Sequence, residues 1–174
     1  MNSIDQIFLV GPMGAGKTTI GKQLATALRL SFHDSDIKIQ ESTGVDIPTI
    51  FDLEGEAGFR KRETSALQNL VTIKHAVIST GGGSVVKQEN RQLMSASGTV
   101  IYLYCEPQQQ YERTRHDRNR PLIQGDDPLA QLTELFAQRD PLYREVADLI
   151  IKTDRRPAHA VVREITDKLA LQDR

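Results

Sequence analysis

Residues 11 to 18 read G-P-M-G-A-G-K-T and fill every fixed position of the pattern G-x-x-x-x-G-K-[ST]. The apolar run Ile7-Phe8-Leu9-Val10 stands directly before them, and a stretch of helical period from Thr19 to Leu30 follows. Few folds accommodate that order. A strand buried on both faces must end in a glycine loop that opens a helix, which gathers backbone N–H groups and a helix N-terminus around one point. Such a point attracts phosphate. The glycines Gly11, Gly14 and Gly16 let the backbone approach an anion closely, Lys17 brings a charge suited to β- and γ-phosphates, and the Thr18 hydroxyl is an oxygen ligand for Mg²⁺.

The same grammar recurs along the chain. Ala76–Ser79, Val100–Tyr104 and Leu149–Thr153 are apolar and rich in β-branched residues, and Ser31–Asp34 is a weaker case. Segments of helical period lie between them, the longest from Glu54 to Lys74, and Ala158 to Leu171 carries Val161, Val162, Ile165 and Leu169 along one side. Strands alternating with helices predict right-handed crossovers and a mainly parallel sheet covered on both faces, a three-layer α/β/α arrangement. At 174 residues the chain suits one well-buried core, so residues 1–174 are expected to form a single domain. The polar stretch Arg113 to Asp127 lacks apolar period and reads as a mobile loop able to close over a bound nucleotide and exclude water.

Composition narrows the ligand. With 22 basic residues against 23 acidic ones the net charge is −1, so no global field draws the chain to nucleic acid or to a membrane. Tryptophan is absent and aromatics make up 5%, which weakens any base-stacking platform; a small polar substrate is favoured. The apolar runs are strand-sized and the N-terminus lacks the basic-then-apolar order of a signal peptide, so a soluble cytoplasmic location is expected. Cys105 is the single cysteine, which excludes an internal disulfide and a cysteine zinc cluster; His33, His75, His116 and His159 are scattered without metal-site spacing.

Three further clusters bear chemistry. His33-Asp34-Ser35-Asp36 ends the weak strand, and in a parallel sheet the carboxyl ends of neighbouring strands share one crevice. Asp34 can support Mg²⁺ beside Thr18 while Asp36 accepts from a substrate hydroxyl; an Asx turn capping the next helix is the competing reading. Thr80-Gly81-Gly82-Gly83-Ser84 follows another strand and offers backbone N–H groups at close range. Arg60, Arg120 and Arg144 supply planar guanidinium groups that an anionic substrate needs in addition to the nucleotide loop.

Taken in order, L-V-G-P-M-G-A-G-K-T (Leu9 to Thr18), D-S-D (Asp34 to Asp36), I-F-D-L-E-G-E-A-G-F-R (Ile50 to Arg60), T-G-G-G (Thr80 to Gly83), R-P-L (Arg120 to Leu122) and P-L-Y-R-E-V-A (Pro141 to Ala147) closely resemble bacterial shikimate kinases over essentially the full chain. The resemblance implies a P-loop fold of the nucleoside monophosphate kinase type. It would have a five-stranded parallel sheet, a substrate-binding helical region at about 37–65 and a lid at about 115–127. It implies transfer of phosphate from MgATP to the 3-hydroxyl of shikimate, in aromatic amino acid biosynthesis, by a monomer. By the same resemblance Gly14, Ala15, Gly16, Lys17, Thr18 and Thr19 hold the ATP phosphates, Thr18 and Asp34 serve Mg²⁺, and Arg113, Arg156 and Pro157 flank adenine. Asp36 orients the acceptor hydroxyls and assists deprotonation, Arg60 and Arg144 grip the substrate carboxylate, and Gly81 and Gly82 give backbone contacts. Phe51 and Phe59 wall the pocket, and Arg120 reaches the phosphates from the lid. The rival readings are another small-molecule kinase of this fold, such as a gluconate kinase, and a nucleotide-binding regulator without catalysis.

Overall fold

In the computed structural model, which describes residues 5–116 and 125–173, the run before the glycine loop is β1 (Gln6–Val10). It lies at the centre of a five-stranded sheet with β2 (Ser31–Asp34), β3 (Ala76–Ser79), β4 (Thr99–Tyr104) and β5 (Leu149–Lys152), in the order β2-β3-β1-β4-β5. All four pairings are parallel, with Leu9 opposite Ser79 on one side and Ile101 on the other. The helices are α1 (Lys17–Leu28), α2 (Ser35–Thr43), α3 (Ile47–Leu70), α4 (Gln88–Ser97), α5 (Pro107–Thr114), α6 (Pro128–Val146) and α7 (Ala158–Gln172).

The continuous apolar run of β1 is explained by two cores. Successive side chains of a strand point to opposite faces. Ile7 and Leu9 pack with Ile20 and Leu24 of α1 and with Val161, Ile165 and Leu169 of α7. Phe8 and Val10 pack with Leu67 and Leu70 of α3, Met94 of α4, and Tyr143 and Val146 of α6. Every residue of β1 is therefore buried, as a strand covered by helices on both sides must be. A third, smaller cluster of Ile39, Ile50, Phe59 and Ala66 joins α2 to α3.

Strand order places the site. The chain leaves β1 for β2, returns to β3 between them, and then crosses to β4 on the far side, so the order reverses beside β1. The crevice outside the carboxyl ends of the strands at such a switch point is where α/β sheets bind ligands. The glycine loop after β1, Asp34 at the end of β2 and Thr80-Gly81-Gly82 after β3 all open onto it.

Three segments have bounds that differ from those read in the sequence. Helix α1 begins at Lys17, inside the motif, and stops at Leu28 because Arg29 turns left-handed (φ 57°) and caps the carbonyls of Ala25 and Thr26. No glycine marks that stop. The long helix starts at Ile47 instead of Glu54, capped by Asp46, which accepts from the Thr49 amide at 3.0 Å, and it ends at Leu70 instead of Lys74. It is two helical segments that meet at Gly55, where φ is 69° and ψ −179°. That bend interrupts the apolar period and hides the first segment. Finally, part of the stretch read as a loop is helical, since α5 runs to Thr114.

Candidate active site

The glycine loop and the start of α1 form one wall of a cleft of about 410 Å³. Gly16 is the N-cap of α1 with φ 89° and offers no side-chain cap, so the first N–H groups of the helix point into the cleft uncapped by any side chain. The Lys17 ammonium bends over the loop and donates to the Gly11 and Pro12 carbonyls at 2.7 and 2.8 Å. Gly14, Gly16, Lys17, Thr18 and Thr19 all line the cleft, while Ala15 is buried beneath it.

Opposite stands the D-S-D segment. Asp34 caps α2, as the competing reading expected, and also reaches Thr18. Its Oδ1 accepts from the Asp36 amide at 2.9 Å and caps α2, while its Oδ2 accepts from the Thr18 hydroxyl at 3.0 Å. Asp36 lines the same cleft, and its carboxylate abuts Gly81, where a Cβ would come within 2.9 Å of Oδ1. The Gly81 N–H donates to Ser35 Oγ at 3.1 Å, so this amide fastens the glycine segment to α2, although Gly81 also lines the cleft. Gly82 lines the cleft, and its carbonyl accepts from the Tyr143 hydroxyl.

Behind the glycines lie two buried arginines. Arg60 is 7% exposed and donates to Glu63 at 2.9 Å and to Glu56 at 3.4 Å. Its guanidinium lies over the Phe59 ring, 5.2 Å from the centroid, and packs so closely on Gly83 that any Cβ there would strike it. Phe59 stacks with Phe51 at 4.8 Å. Arg139 is also 7% exposed and sits against Gly82, one turn before Tyr143 on the same buried face of α6. Burial pushes the Tyr143 phenol up to about 12, while the cations Arg139 and Arg60 pull the other way.

Arg139 was missed by the sequence reading, which assigned its place to Arg144. That assignment is corrected by the helix geometry. Leu132, Arg139, Tyr143 and Val146 form the buried stripe of α6, spaced seven, four and three residues apart. Arg144 falls off that stripe: its side chain is 50% exposed, donates to Asp140 at 2.9 Å and lies over the Tyr104 ring. An arginine on an apolar helical stripe was the available signal, obscured because Arg144 stands inside the motif P-L-Y-R-E-V-A.

Where adenine was expected, Arg113 lines the cleft and donates to the Gly14 and Thr153 carbonyls, each at 2.9 Å. Arg156 does not join it; it is tied to Glu164 of α7 at 2.6 Å and to the Lys152 carbonyl, and Pro157 serves as the N-cap of α7. Arg120 and most of the expected lid lie outside the described residues. Cys105 is buried under the loop, its thiol raised to about 11 by burial, so it stays protonated at neutral pH. A larger hollow of about 510 Å³ on the outer face of α2 and α3, lined by Lys38, Lys61 and Arg62 among others, carries no group of the phosphate loop. Chemistry, not volume, selects the cleft.

Comparison with known proteins agrees with this geometry. A family model described as shikimate kinase matches residues 13–170. The shikimate kinase of Halorhodospira halophila is 54% identical over 164 residues, spanning 94% of this chain and 93% of its own length. The structure of the shikimate kinase from Acinetobacter baumannii in complex with shikimate is similar at a TM-score of 0.95 and 46% identity, covering 98% of this chain and 95% of that one. A gluconokinase from Sinorhizobium meliloti, 16% identical with all of both chains covered, reaches a TM-score of 0.59 and shares the fold alone.

Proposed function

The chain belongs to the shikimate kinase family, and from that premise we propose that this cleft transfers the γ-phosphoryl group of ATP to the 3-hydroxyl of shikimate. One observation carries the acceptor. Arg139 is buried and makes no ion pair among the described residues, while Arg60 beside it is matched by the buried Glu63. A buried guanidinium without a counter-ion is costly unless a ligand supplies one. A carboxylate held there lies next to Gly82 and Asp36, so a small hydroxylated acid can present a hydroxyl towards the phosphate loop. The apolar wall of Phe51 and Phe59 suits the carbon ring of such an acid.

Phosphoryl transfer needs mainly positioning and charge stabilisation. The uncapped amides of α1 and the Lys17 ammonium receive the β- and γ-phosphates. Asp36 accepts from the acceptor hydroxyl and aligns its oxygen, and Arg113 closes the nucleotide end. Thr18 Oγ1 and Asp34 Oδ2, 3.0 Å apart, are hard oxygen donors that fit Mg²⁺, which keeps few protein ligands when phosphates and water supply the others. When bound with ATP the ion would neutralise charge on the phosphates. Residues 1–174 act in this reading as one kinase domain and a monomer in the cytoplasm; no helix among the described residues is long and apolar enough to cross a membrane.

Phosphorus NMR of a mixture of the protein, MgATP and shikimate tests the reading. ADP and shikimate 3-phosphate are expected, with no turnover of gluconate. Turnover of gluconate but not of shikimate would overturn it.

A further inference from the structure

The bend in α3 sets the geometry of the acceptor pocket. Ile50 and Phe51 precede it and Phe59, Arg60 and Glu63 follow it, so the Phe51–Phe59 stack spans the bend and depends on its angle. Gly55 adopts a conformation open essentially to glycine alone, and nothing lies within 4 Å of the position a Cβ would take there. Packing at Gly55 itself therefore does not hold the corner.

One side-chain pair spans it. Arg62 Nε donates to both oxygens of Glu54, at 3.1 and 2.9 Å, and a terminal Arg62 nitrogen donates to Oε1 at 2.6 Å. Glu54 stands just before the bend and Arg62 eight residues later. In a straight helix eight residues rise about 12 Å, too far for this contact, so the pair exists only in the bent form. Gly58 makes room for it, since a Cβ at Gly58 would collide with the Glu54 side chain. Neither Glu54 nor Arg62 lines the cleft, and both are exposed. Each holds the other in its charged form: Arg62 lowers the Glu54 carboxyl and Glu54 raises the Arg62 guanidinium.

We propose that the Glu54–Arg62 pair is a positioning clamp that fixes the bend at Gly55 and so sets affinity for the acceptor, without touching either substrate. The proposal rests on the shikimate kinase reading of the site. It assigns a role to two residues outside the pocket, and it makes acceptor binding depend on an ion pair at the surface.

A double-mutant cycle tests it. Shikimate dissociation constants are measured by calorimetry without ATP, and KM for both substrates and kcat by a coupled ADP assay, for Glu54→Gln, Arg62→Gln and the double variant. An exposed but bidentate pair predicts that each single change weakens shikimate about threefold to fivefold. The double variant should be no worse than either single, and kcat and the ATP KM should stay within about twofold of wild type. Single variants that bind shikimate as wild type does, losses that add in the double variant, or equal losses for ATP and shikimate would each overturn the clamp. Failure of the wild-type protein to phosphorylate shikimate is a separate result: it overturns the functional reading before any variant is made.

Discussion

Replacing Arg139 by alanine should cripple acceptor binding and leave nucleotide binding alone, whereas Arg144→Ala, five residues along the same helix, should do little. Arg139 is 7% exposed, faces Tyr143 and Gly82, and lacks an ionic partner among the described residues. Truncating one member of a desolvated charge pair costs about 2 to 5 kcal/mol of binding. Arg60 remains beside the carboxylate in the variant, although Glu63 already takes part of its charge at 2.9 Å. That places the loss in the lower half of the range, about 2 to 3.5 kcal/mol, which corresponds to a rise of about 30-fold to about 400-fold in the shikimate dissociation constant. Arg144 is half exposed and paired with Asp140, a contact of the kind that contributes at most about 1 kcal/mol to stability, so its loss should move the shikimate KM by less than about twofold. Calorimetric titration of shikimate into both variants, with a coupled assay for the ATP KM, measures this. Circular dichroism melts show whether each variant is folded. An Arg139→Ala protein that binds shikimate within about twofold of wild type, or an Arg144→Ala protein that loses as much, would refute the assignment of the buried guanidinium to the substrate carboxylate.

Lys17→Ala and Asp36→Ala should each lower kcat by about 10²-fold or more with the circular dichroism spectrum unchanged, because both act on charge that develops during transfer; a fully active Asp36→Ala protein would remove Asp36 from the mechanism. Gly83→Ala should raise the shikimate KM and spare the ATP KM, since its Cβ meets the Arg60 guanidinium, a flexible end that can shift only by leaving its pose. The Cys105 thiol, ordinarily 9.0, is raised to about 11, so above pH 9 the unfolded chain releases a proton that the folded chain keeps. The unfolding free energy should therefore fall as pH rises from 9 towards 11, joined above pH 10 by Tyr143, which is raised from 10.0 to about 12. Urea melts across this range should show the fall, and Cys105→Ala should show less of it.

Much of the molecule was legible because its signals are local. A glycine loop between an apolar run and a helix can be built in few ways, and Ile7 to Val10 read as a doubly buried strand because a strand with helices on both faces has no polar side to show. Ser31–Asp34 and Ala76–Ser79 fell at the boundaries the sequence suggested. The bend of α3 did not, since Gly55 shifts the phase of the apolar period and each half is short when read alone. Likewise Asp34 reads in the sequence as either a helix cap or a Mg²⁺ support beside Thr18; that its one carboxylate caps α2 and also accepts from the Thr18 hydroxyl needs β2 and α1 side by side.

The sequence by itself determined that an anion would be bound after β1 and that carboxylates and glycines from two other strand ends were candidates to face it, because those residues carry their conformational demands with them. Only the tertiary structure decided which arginine turns inward. Arg139 and Arg144 are chemically alike, and what separates them is the rotation of α6 against the sheet, which buries Leu132, Tyr143 and Val146 and carries Arg139 with them under Gly82. That rotation is set by long-range packing of apolar side chains, which no short motif encodes.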